Sequence, residues 1–312
     1  MSFPTTSPLA AAADVDVADR MSIPGALLAL TKPRIAFMSV VTAMVAYGTA
    51  RPESSVTLAT LVGTALSAGG VLSLNQWWER NLDARMRRTQ GRPLPQMRLT
   101  PATALGWSLA LCVAGVLLLA LAVNLNAAGL AALTIVTYGL AYTPLKQRTR
   151  WATEVGAISG ALPALLGNAA AGHLWAGPGV ALATMLLFWQ MPHFFAIGWR
   201  HREDYRAAGF MLRPAIDSSG ANTAWWSFGY AVLLLPVSVV PWWMGAMGAT
   251  YGVITLVAGM GFLFRAWGFV VSADRDFAAR RLFRASLLYL LIFLIALLFD
   301  WVPAWSVSAG VP

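Results

Sequence analysis

The chain has 312 residues, a formal net charge of +9, 58% hydrophobic side chains and only 11% charged ones. Soluble domains run at about 45–50% apolar and about 25% charged, so this composition, with a mean hydropathy of +0.64, excludes an ordinary soluble domain. The positive charge sits between apolar runs rather than on a soluble basic face, which sets nucleic-acid binding aside, and the single Cys112 excludes a disulfide framework or a cysteine-based metal site.

Residues 1–30 include Asp14, Asp16 and Asp19 and lack the basic start and apolar stretch of a signal or transit peptide. They read as a disordered cytoplasmic tail. Apolar runs of about twenty residues, enough to cross about 30 Å of hydrocarbon, then recur at 33–50, 55–77, 101–123, 127–144, 152–172, 178–198, 223–244, 247–268 and 284–303. The expected fold is therefore all-α: a polytopic membrane protein of nine transmembrane helices, one domain over 31–304, with a short external tail at 305–312. Trp77, Trp78, Trp151, Trp175, Trp199, Trp225, Trp226, Trp242, Trp243 and Trp301 fall near span ends, where indole rings prefer the interface. All of the 22 Lys and Arg except Arg51 fall on one side of this arrangement. The positive-inside rule then places the N-terminus and the charged loops in the cytoplasm and the C-terminus outside.

The stretch NQWWERNLDARMRRTQGRPLP at 75–95 closes the second span. Asn75, Glu79 and Asp83 stand at i, i+4 and i+8, on one helical face. Three oxygen-bearing side chains beside Arg80, Arg85, Arg87, Arg88 and Arg92 suit a hard cation bridged to a diphosphate, since Mg²⁺ keeps few carboxylates and takes up substrate phosphates, and Arg matches phosphate bidentately. From spacing alone a second reading stands beside it, a helix end with salt-bridged acids and ordinary cytoplasmic arginines. Tyr142 and Lys146 lie i, i+4 at the end of the fourth span, with Pro144 interrupting the helix between them; the pair suits a phosphate oxygen, or Lys146 simply snorkels. His193 follows Pro192 near the end of the sixth span, where a polar side chain is costly; it suits a haem contact, a proton relay or a structural hydrogen bond. Glu203 and Asp204 follow on the same side, which predicts that the two acidic clusters face each other across one cavity. Gly69, Gly70 and the run GAISGALPALLG read as close helix packing.

LTKPRI (30–35), the 75–95 stretch, YTPLKQRT (142–149), WQMPHFFAIGWRHREDYRAAG (189–209) and RRLFRASLLYL (280–290) together resemble the UbiA-type intramembrane prenyltransferases, and within them the protohaem farnesyltransferase branch. The resemblance implies a helix bundle around a lipid-facing cavity. It implies farnesyl transfer from farnesyl diphosphate to a haem B vinyl group with water addition, giving haem O and diphosphate. By the same resemblance Asn75, Glu79, Asp83, Glu203 and Asp204 are implied Mg²⁺ ligands. Tyr142, Lys146, Arg92 and Arg34 are implied at the diphosphate, and His193 at the haem. It further implies a bacterial inner membrane, and a haem A synthase or terminal oxidase as the downstream partner. The sequence departs from the family pattern at Glu79 (usually Asp), Asn81 (often a further Asp), Met97 (usually Gly) and FMLRP at 210–214 (a PMLP-like run). The competing expectations are a prenyltransferase acting on a quinone precursor such as 4-hydroxybenzoate, for which His193 has no use, and, in another class, a transporter with inverted repeats.

Overall fold

The computed structural model describes residues 21–50, 52 and 56–300. The expectations for Asp14, Asp16, Asp19, Arg51, Trp301 and the C-terminal tail lie outside the described residues. Helices build the fold in chain order: α1 (Ile23–Leu30), α2 (Pro33–Thr49), α3 (Thr57–Asp83), α4 (Pro101–Ala122), α5 (Leu125–Leu145), α6 (Ala152–Ala170), α7 (Gly177–Arg200), α8 (Arg202–Ala207), α9 (Arg213–Ile216), α10 (Ala221–Trp243), α11 (Ala249–Val271) and α12 (Arg275–Phe299).

Seven of these helices are long and apolar enough to cross a membrane, and an eighth span arises if α1 and α2, bent by 48° at their junction, count as one. The expected ninth span, 152–172, is present as the helix α6 but falls short in hydropathy. Its sequence carries Glu154, Asn168, Pro163 and many Ala and Gly, and most of its residues are buried. A helix enclosed by other helices meets little lipid, so nothing requires it to be as apolar as an outer span. α4, α5, α10, α11 and α12 have at most 33% of their apolar window buried, against 61% for α3 and 56% for α7. α3, α6 and α7 are thus the inner layer, and the others shield them from lipid.

Residues 23–30 are helical where a disordered tail was expected. Ser22 caps α1 by accepting from the Gly25 amide at 3.3 Å, and Gln76 of α3 donates to the end carbonyls of Ala29 (3.2 Å) and Leu30 (2.8 Å). The break that follows has a local cause. A residue before proline is kept out of the helical region, and Lys32, before Pro33, adopts φ 46°, ψ 65°.

α3 and α4 pack with almost no separation. A Cβ on Gly115 would lie 2.5 Å from the Ser67 amide nitrogen, so backbone meets backbone there. Gly115→Val is expected to destabilise by about 1–3 kcal/mol, the usual cost of overpacking, read as a lower detergent-solubilised unfolding temperature.

Two family departures take on physical meaning. Met97 sits at φ 53° and is 90% exposed, a left-handed conformation that costs an L-residue roughly 1–2 kcal/mol. Met97→Gly should therefore raise stability, by less than about 1 kcal/mol once the added unfolded-state entropy of glycine is subtracted; an unchanged or lower unfolding temperature would contradict this. Arg213 of FMLRP is only 2% exposed. It pairs with Glu154 at 3.2 Å and Asn222 at 3.0 Å, and stacks over Trp226 at 4.2 Å. This loop also docks on the α5 end, the Met211 amide donating to the Lys146 carbonyl at 2.7 Å.

Candidate active site at the C-terminal end of α3

α3 continues as one helix through Asp83, so Asn75, Glu79 and Asp83 do share a face, and all three are buried (1%, 4% and 0% exposed). Buried carboxylates without partners are very costly. Each of these side chains has a cation against it. Lys32 donates to Asn75 Oδ1 at 2.7 Å, Lys146 to Glu79 Oε1 at 2.7 Å, and Arg92 Nη1 to both Asp83 oxygens at 2.8 and 2.7 Å. Three anionic or dipolar acceptors and three cations thus alternate in one buried cluster, drawn from α3, the α1–α2 break, the loop after α3 and the end of α5.

α5 reaches the cluster through a π-helical segment, Ile135–Tyr142, directly before Pro144. The widened turn admits a proline ring that an α-helix would exclude. The Thr143 hydroxyl donates back to the Tyr138 carbonyl at 2.8 Å and accepts from Asn75 Nδ2 at 3.1 Å. That bond and the one to Lys32 fix which way the Asn75 amide faces. Lys146 lies over the Tyr142 ring, 4.5 Å from its centroid, and 5.7 Å from that of Phe210. Thr143→Val should cost about 1 kcal/mol of stability by unpairing the buried Asn75 amide, together with a measurable fall in activity.

Lys32 and Thr143 were missed in the sequence reading. The signal for Lys32 was there, a lysine directly before the proline that opens a span. Arg34, chosen instead, is exposed, with no ion pair among the described residues.

Glu203 and Asp204 make their hydrogen bonds outside the cluster around the α3 acids. The Glu203 side chain is 73% exposed and pairs with Arg206 at 2.8 Å and Arg202 at 3.6 Å. Asp204 accepts from the Arg87 amide at 3.2 Å. Among the described residues no three His, Cys, Asp or Glu side chains gather as a metal-holding group. Instead Glu203 and Asp204 line an open cavity with Arg85, Arg87, Arg200 and His201. Partial burial holds the His201 imidazole below its usual range, and Arg88 and Arg200 add to this against Asp204, so the arginines supply the positive charge there at neutral pH.

His193 makes the structural hydrogen bond that was one of its expected roles. Its Nδ1 shares a 2.8 Å hydrogen bond with Ser286 of α12, and its ring packs against Trp189 and Phe283 at 5.0 and 4.9 Å. Its α7 neighbours Gln190 and Phe194, not His193, line an apolar cavity inside the bundle.

That cavity, of about 210 Å³, is walled by α2, α3, α5, α6 and α7. Tyr138 and Tyr142 form the end nearest the charged cluster, and Thr64 lies deep in the bundle. Thr64 is fifteen residues before Glu79, about 22 Å along α3 at 1.5 Å per residue. A Cβ on Gly156 would lie 2.8 Å from the Tyr142 ring, so the glycine lets this ring seat against α6. The charged cluster and this apolar slot thus adjoin at Tyr142, which lines the slot and carries Lys146 over its ring.

Comparison with known proteins identifies the family. The UbiA prenyltransferase family model matches residues 36–288. The chain is 43% identical to the protoheme IX farnesyltransferase of Opitutus terrae, over 88% of this chain and 93% of that one. It is 42% identical to that of Salinibacter ruber, over 88% and 98%. Among solved structures, a digeranylgeranylglyceryl phosphate synthase superposes with a TM-score of 0.75 at 15% identity, covering 88% of this chain and 97% of that one. A UbiA homologue from Archaeoglobus fulgidus bound to GPP and Mg²⁺ superposes with a TM-score of 0.65 at 15% identity, covering 88% and 99%. The chain is an integral membrane protein of the UbiA prenyltransferase family.

Proposed function

We propose that this chain transfers the farnesyl group of farnesyl diphosphate to a vinyl carbon of haem B, with addition of water, to give haem O and diphosphate. The observation that carries the transfer chemistry is the cluster in which Lys32, Lys146 and Arg92 pair with Asn75, Glu79 and Asp83 beside an apolar slot. The choice of haem as acceptor is supported by the names of relatives near 40% identity, and the choice of Mg²⁺ by the ions and prenyl diphosphate bound to the archaeal homologue.

The donor set suits such an ion. Two carboxylates and an amide oxygen on one helical face are hard ligands, and Mg²⁺ needs no more than one or two carboxylates when substrate phosphates complete its shell. Mg²⁺ held by Asn75, Glu79 and Asp83 would neutralise charge on the departing diphosphate. Glu203 and Asp204, engaged with arginines and backbone outside this cluster, are not assigned to the same ion.

The chain's own groups then divide the remaining work. Lys32, Lys146 and Arg92 are preorganised donors that exchange their bonds to Asn75, Glu79 and Asp83 for bonds to phosphate oxygens, so that leaving-group charge meets fixed cations in a site closed to bulk water. The Tyr138 and Tyr142 faces line the slot beside them and stabilise positive charge on the allylic carbons. The apolar wall behind holds the isoprenoid chain and limits water. Positive-inside charge puts this end of the bundle at the cytoplasmic face of a bacterial inner membrane, and a haem A synthase or terminal oxidase is the consumer that the product's chemistry calls for.

Membranes containing the protein, incubated with Mg²⁺, farnesyl diphosphate and either haem B or 4-hydroxybenzoate, are expected to give farnesylated haem and no prenylated benzoate. The reverse pattern sinks the acceptor assignment and leaves a quinone-precursor prenyltransferase.

A further inference from the structure

We infer that Gln190 holds the water molecule that adds to the farnesylated intermediate, and so decides whether the product carries a hydroxyl. The inference rests on the haem-farnesylating reading above.

Gln190 is 5% exposed and lines the slot. Its Nε2 donates to the Ala157 carbonyl of α6 at 2.8 Å. A carbonyl can only accept, so this bond settles the amide orientation and leaves Oε1 as the free end. Oε1 accepts no hydrogen bond from the described residues and is not among their enclosed, unpartnered oxygens; it opens on the slot. Gly160 makes the room for it, since a Cβ at that position would overlap Oε1. Gly156, one turn earlier on α6, makes the corresponding room for the Tyr142 ring. The Gln190 oxygen therefore sits about 6 Å, one helical turn, beyond Tyr142 on the same wall, on the side away from the charged cluster.

Several hydroxyls of the slot spend their protons on their own helices. Ser67, Thr134 and Ser159 donate to carbonyls of their own helices at 3.1, 2.8 and 2.7 Å. Thr64 Oγ1, also on the lining, has no partner, but Gln190 Oε1 is the amide oxygen of the lining and lies on the turn next to Tyr142. A water that donates one O–H to it is anchored by that proton and turns a lone pair toward the cavity.

The chemistry needs such a water at one moment. The farnesyl C1–O bond breaks, with its electron pair leaving on the diphosphate. The vinyl π pair forms the new C–C bond to C1, which leaves positive charge on the ring-attached vinyl carbon. A held water closes a C–O bond there and its proton passes to diphosphate, giving the hydroxylated product. Without a held water the same cation loses a neighbouring C–H proton to diphosphate, giving an olefin lighter by one water.

The test is product mass from wild type, Gln190→Leu and Gly160→Ala, each supplied with haem B and farnesyl diphosphate in membranes. The readout is the ratio of hydroxylated to dehydrated farnesyl haem, whatever the total yield; a merely structural role for the amide lowers yield and leaves this ratio alone. The ratio is expected to fall roughly tenfold in both variants, the equilibrium weight of one hydrogen bond. A wild-type ratio in Gly160→Ala overturns the inference, and that variant decides alone if Gln190→Leu does not accumulate. If wild type makes no farnesyl haem of either kind, the proposed function fails instead.

Discussion

Glu79→Gln combined with Asp83→Asn should lower haem farnesylation by at least about 10²-fold, the scale on which removing groups that face developing charge slows an enzyme. Both substitutions keep shape and hydrogen-bonding atoms while removing the charges that now balance Lys146 and Arg92. The same double variant should no longer respond to a chelator that abolishes wild-type activity, because the carboxylates that would hold the ion are gone. Full product formation in this variant would refute the assignment of the α3 face to the diphosphate. A folded variant, verified by detergent gel filtration, is the condition under which the rate is read.

The buried pair of Glu79 and Lys146 gives the second large effect. Lys146→Met leaves the Glu79 carboxylate enclosed, with its side chain 5% exposed and its 2.7 Å partner removed. Breaking a buried pair from one side costs about 3–5 kcal/mol, whereas replacing both partners is often close to neutral. Lys146→Met should therefore lower the unfolding temperature sharply, and Glu79→Gln/Lys146→Met should regain most of the loss, a coupling of about 1–3 kcal/mol. Activity should stay low in both. A double variant that recovered activity together with stability would make the pair a structural staple. One that recovers stability alone separates the pair's work on substrate from its work in the fold.

Much of this site was legible in the sequence because its key spacings are local. Asn75, Glu79 and Asp83 needed only one uninterrupted helix to share a face, and α3 supplies it through Asp83. Tyr142 and Lys146 needed only the end of a span beside a proline. What local spacing could not supply was the counter-charge. Lys32 reaches Asn75 across forty-three positions because Pro33 forces a break that turns the α1–α2 junction over α3. Thr143 acts through a π-helical turn, and a change of helical type leaves no mark in a hydrophobic pattern.

The surroundings of the other expected residues have the same origin. Glu203 and Asp204 match an acidic cluster in type and position, yet neighbouring arginines and the Arg87 amide satisfy them. His193 sits one residue from Phe194 in sequence, but on a helix that places it some 100° around the axis, toward Ser286 rather than the slot. α6 fell short as an apolar span because helices, not lipid, surround it.

The most direct measurement is pigment analysis of cells that make haem B but no haem O, before and after this chain is expressed in them. Extracted haem should then include a new species heavier than haem B by one farnesyl group and one water. Its absence, with the protein present in the membrane and prenylated aromatic acid accumulating in its place, would contradict the account.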